Sequence, residues 1–76
     1  MAKENTNMVE VFKTNVMDCK QAERMLALLV QHVKESRINF DLHDCDKILR
    51  VEANQIVPEK IIELMNTHGY QCMILE

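Results

Sequence analysis

Seventy-six residues, 47% of them apolar, with a formal charge of −3, make one small globular domain. A chain of this size buries only about 60–65% of its unfolded surface, so its core has little room for unpaired polar groups. The acidic balance excludes a nucleic-acid surface, which needs clustered Lys and Arg, and no apolar run approaches the roughly 18 residues of a membrane span.

The opening Met1-Ala2-Lys3-Glu4-Asn5-Thr6-Asn7 is too polar for a signal peptide, so the expected compartment is the cytoplasm and residues 1–7 are expected to form a flexible tail. The domain proper is expected over 8–76. Cys19, Cys45 and Cys72 are odd in number and widely spaced, with no Cys-x-x-Cys pair. That pattern suits reduced thiols, and it indicates neither a disulfide framework nor a zinc finger.

Met8 to Thr14 reads as a strand, with Val9 and Val11 pointing one way and Met8 and Phe12 the other. The period then changes. Ala22, Met25, Leu26, Leu29 and Val33 recur at helical steps, which predicts a helix from Asp18 to Glu35 with one buried stripe. Asp18 is suited to accept from the first free N–H groups of that helix. Gln21, three residues on, is placed to reach back to the N–H of Asp18, completing a variant capping box.

Arg37 to His43 alternates cleanly, with Ile38, Phe40 and Leu42 inward and Asn39, Asp41 and His43 toward water. A turn through Asp44, Cys45, Asp46 and Lys47 leads into a strand from Ile48 to Ala53, with Leu49, Val51 and Ala53 on one side. Pro58 suits the first position of a second helix. Ile61, Ile62, Met65 and then His68 line its inner face, and Gly69 closes it in the left-handed conformation. Tyr70 to Leu75 makes the last strand. Strand-helix-strand-strand-helix-strand, with right-handed crossovers around a hairpin, predicts an α+β ferredoxin-like sandwich: one four-stranded antiparallel sheet with both helices on one face. That fold hosts many functions and selects none.

The runs Phe12-Lys13-Thr14-Asn15-Val16 and Asp46-Lys47-Ile48-Leu49-Arg50-Val51, and the Gly69-Tyr70 exit from the second helix, carry a resemblance. From Met8 onward the chain resembles the heavy-metal-associated domains, which are soft-metal chaperone domains, and within them a small bacterial branch. The resemblance implies a copper-chaperone-like domain whose first loop carries Met-x-Cys-x-x-Cys, two thiolates that grip Cu(I) or contribute to a zinc site. Laid onto this chain, those two positions are Asp18 and Gln21, so the resemblance predicts the fold while withdrawing the activity. Cys19 falls between them. With Met17 beside it, Cys19 is the only soft donor set left there for a copper or zinc ion.

Other clusters read more plainly as structure. Asp41, His43, Asp44, Cys45 and Asp46 include ligand-type side chains, but they lack the Gly and distal Glu of a calcium loop. His32 and His68 have no partner of ligand type four residues on. An acyl-phosphatase would need a Gly-rich anion loop with an Arg after the first strand, and that loop here offers Asn15-Val16-Met17-Asp18. An RNA-recognition domain would need stacking aromatics where the third strand offers Ile48, Arg50 and Glu52. The expected function is therefore a non-catalytic binding or regulatory module without a cofactor, which associates with itself or with a protein partner through Met8 and Phe12 on the uncovered sheet face. The alternative is a residual soft-metal carrier or sensor using Cys19.

Overall fold

A computed structural model describes residues 7–75. The expected tail, residues 1–7, therefore lies outside it apart from Asn7, whose Nδ2 donates to Glu52 Oε2 at 3.4 Å. The elements are β1 (Met8–Thr14), α1 (Cys19–His32), β2 (Arg37–Asp41), β3 (Ile48–Ala53), α2 (Pro58–Thr67) and β4 (Cys72–Ile74). One antiparallel sheet has the order β2-β3-β1-β4, giving the ferredoxin-like α+β sandwich. No helix among the described residues is long and apolar enough to cross a membrane.

The core lies between the sheet and the two helices. Phe12, Leu49, Val51 and Ala53 from the strands meet Ala22, Met25 and Leu29 from α1 and Ile61 and Met65 from α2. In β3 the two-residue period is strict: Leu49, Val51 and Ala53 are buried while Arg50 is exposed. Ile38, Phe40 and Leu42 extend this layer from the other side of the hairpin and are partly buried against it.

Several boundaries move from their expected places, each for a local reason. α1 stops at His32 rather than Glu35: Val33 is already extended (φ −117°, ψ 103°), and its N–H bonds back to Leu29 O at 2.9 Å. The chain then reverses through a left-handed Glu35 (φ 52°), and Ser36 Oγ donates to Val33 O at 2.7 Å. β2 stops at Asp41 because its carboxylate accepts from the N–H of His43 at 3.2 Å, bending the strand into the turn. β4 is only three residues long. Before it, Tyr70 N–H bonds to Met65 O (3.0 Å) and Gln71 N–H to Asn15 Oδ1 (2.8 Å), so those two groups close loops rather than extend a ladder.

His68 is exposed and caps α2, with Nδ1 hydrogen-bonded to Leu64 O at 3.0 Å, rather than continuing the buried stripe. Gly69 does close the helix as expected, at φ 92°. A Cβ there would meet nothing within 4 Å, so the requirement for Gly is conformational and not steric.

Thr14 joins the sheet to the hairpin. Its hydroxyl donates to Lys47 O (2.6 Å) and accepts from Val16 N–H (3.2 Å), while its own N–H bonds to Asp46 O (3.1 Å). Among the described residues it is the one buried polar side chain, and these bonds satisfy it.

Candidate functional site

The loop from β1 to α1 and the start of α1 form one corner of the sandwich. Val16 anchors it: fully buried, it fixes the path of the loop, and Met17 follows at 67% exposure. Asp18 is extended (φ −140°, ψ 169°), so its carboxylate folds back over the first turn and Oδ1 accepts from Gln21 N–H at 2.8 Å. Its carbonyl takes the first helical bond, from Ala22 N–H at 3.0 Å. Gln21 Oε1 accepts from Met17 N–H at 2.9 Å, one residue ahead of the expected partner, the N–H of Asp18. The reciprocal pair therefore closes the corner as a capping box displaced by one residue. The side chains of both Asp18 and Gln21 are engaged with backbone.

The three thiols sit in different settings. Cys19 is the first residue of α1 and is exposed, as is Cys45 in the hairpin loop. Cys72 is buried at the start of β4, where burial pushes its thiol up from 9.0 to about 12 and keeps it protonated.

Of the five ligand-type residues in the hairpin, the structure brings three together. One donor atom each from Asp44, Cys45 and Asp46 lies within 4.8 Å of the others. Two of these side chains have local tasks: Asp44 Oδ1 accepts from Asp46 N–H at 2.9 Å, and Asp46 pairs with Lys13 at 3.8 Å. Asp41 instead turns its carboxylate to His43 N–H. His32 Nδ1 donates to Leu28 O at 2.8 Å, a helix-surface bond.

The expected interaction face needs correcting. Phe12 is 0% exposed and pairs in register with Leu49, and Met8 pairs with Ala53, so both lie on the side covered by the helices. Met8, the first residue of β1, is 41% exposed on that side. The uncovered face instead carries Val9, Val11 and Lys13, opposite Glu52, Arg50 and Ile48. β4 adds Met73, paired with Lys13, and Leu75 continues that register where its N–H bonds to Val11 O at 2.9 Å. Val9, Met73 and Leu75 are exposed.

The face is thus divided. Its β1–β4 half is apolar around Lys13, and its β2–β3 half carries Arg37, Asn39, Asp41, Arg50 and Glu52, with Arg50 and Glu52 3.6 Å apart. Lys13 was the signal that would have found this side. A lysine on a strand marks the solvent face, and period two then places Val11 and Val9 with it. Glu10 obscures that signal, because it is a half-exposed carboxylate on the inner side opposite Val51.

Comparison of the chain with protein-family models, with curated proteins and with solved structures returns no match to any of the three.

Proposed function

We propose that this chain is a non-catalytic binding module on a heavy-metal-associated type of fold, which acts through protein contacts and takes a second copy of itself as partner. The observation that carries the reading is the row Val9, Val11, Met73 and Leu75 on the side of the sheet away from the helices, with Met73 61% exposed. An apolar patch of this kind with a polar border suits association. A two-fold axis through the apolar half would set like patch on like patch and leave both charged halves outside. The geometry at the corner supports the loss of metal carriage: Asp18 and Gln21, at the positions the family gives to thiolates, are bonded to the backbone of the helix start.

Light scattering on the wild-type chain and on Met73→Lys tests this reading. The expected result is a dimer for the wild type and, for the variant, a folded monomer whose melting temperature no longer rises with chain concentration. A monomeric wild type at the highest attainable concentration contradicts it.

A second reading rests on Met17 and Cys19, two soft donors exposed at the same corner. It makes the chain a residual Cu(I) or zinc carrier. Titrating Cu(I) into the wild type and Cys19→Ser separates the readings: tighter binding by the wild type favours the carrier, and equal weak binding removes it.

A further inference from the structure

On the helix side of the sheet, at the end away from Asp18, α1 has stopped and α2 is starting. There the two helices and the turns beside them leave a cleft of about 490 Å³. That volume falls among small-molecule sites, which span roughly 300–1,000 Å³. Leu29 and Ile61 reach it from the core, and Val33, Val57 and Leu64 complete an apolar wall.

The rim is basic although the chain is acidic overall. Lys34 and Lys60 both border the cleft, and neither is in an ion pair among the described residues. The opposing carboxylate, Glu35, faces Asn54, whose Nδ2 donates to its Oε1 at 3.4 Å. A smaller groove shares His32, Lys60 and Leu64 with the cleft and adds Glu63, so among the residues that line the cleft itself two lysines face one carboxylate, Glu35.

We infer that this cleft binds a small amphipathic carboxylate, an aliphatic acid of medium length, with its chain on Val33, Val57 and Leu64 and its head group held by Lys34 and Lys60 at the rim. Burial of the chain drives binding by removing apolar surface from water. The two ammonium groups select the sign of the head group, since a cationic amphiphile of the same length would meet like charges. The cleft and the open sheet face lie on opposite sides of the sheet, so neither proposal depends on the other.

The test is titration of the full chain with decanoate below its micelle-forming concentration, followed by backbone amide NMR, with decylammonium as the comparison. Saturable shifts confined to residues 29–35 and 54–64 are expected, with decylammonium binding at least tenfold more weakly. The double variant Lys34→Glu/Lys60→Glu, which alters two exposed side chains, is expected to lose at least tenfold in decanoate affinity with its melting temperature unchanged. Lys60→Gln is expected to lose a smaller factor in the same direction. Absence of saturable shifts, shifts centred on the open sheet face, or equal binding of the two amphiphiles would overturn the proposal.

Discussion

At the scale of single residues, Asp18 fixes the start of α1. Its Oδ1 bond to Gln21 N–H is a standard N-cap contact, and removing such a cap costs about 1 kcal/mol. Asp18→Ala is therefore expected to lower unfolding stability by about 1 kcal/mol in urea titration, and an unchanged midpoint would refute the capping role. The cap itself was legible in the sequence because it needs only residue type and spacing. The partner of Gln21 was not, because an amide on a rotatable side chain selects among neighbouring N–H groups by loop path, and here it bonds Met17.

Cys72 gives the second residue-scale prediction. Its thiol is raised by burial to about 12 in the folded chain, against 9.0 for an ordinary thiol. The folded state therefore holds the proton that the unfolded state gives up above pH 9. The contribution of Cys72 to stability is constant below that value, falls as pH rises from about 9, and levels off beyond about 12. Replacing it with Ala should flatten the alkaline fall in a series of melts. In thiol labelling at neutral pH, Cys19 and Cys45 should react rapidly and Cys72 only after unfolding.

Among the elements, α1 and β3 were the most readable and β1 the least. The helical stripe Ala22, Met25 and Leu29 and the alternation Leu49, Val51 and Ala53 are buried as their periods require. Leu29 is fully buried between helix and sheet, so Leu29→Ala should cost about 2–5 kcal/mol by equilibrium unfolding. A cost below 1 kcal/mol would mean that the stripe does not pack as described.

β1 misled because apolar residues stand on both of its faces, so alternation alone cannot say which side meets the helices. The register with β3 decides it: Phe12 opposite Leu49 puts Phe12 in the core and brings Val9 and Val11 outside. The helix end at Val33 and the short β4 were hidden for a related reason. Both are fixed by bonds to distant or turn residues, such as Gln71 N–H to Asn15 Oδ1, which no local pattern announces.

At the scale of the whole molecule, the strand order β2-β3-β1-β4 follows from two right-handed crossovers and a hairpin, so the architecture was available from the succession of elements. The uncovered apolar half-face and the cleft between the helices were not. Both are made by what the elements leave unfilled, and that depends on register and helix length rather than on any one segment. Together they leave two open surfaces, one on each side of the sheet, beside a corner where the Asp18 carboxylate and the Gln21 amide bond the backbone around the helix start.

Sedimentation equilibrium over a wide range of chain concentration, run once with a Cu(I) and zinc chelator and once with stoichiometric Cu(I), decides whether the chain pairs with itself without a metal. One monomer–dimer equilibrium, unchanged by either addition, is expected. Association that appears only with the metal, and disappears in Cys19→Ser, would contradict it.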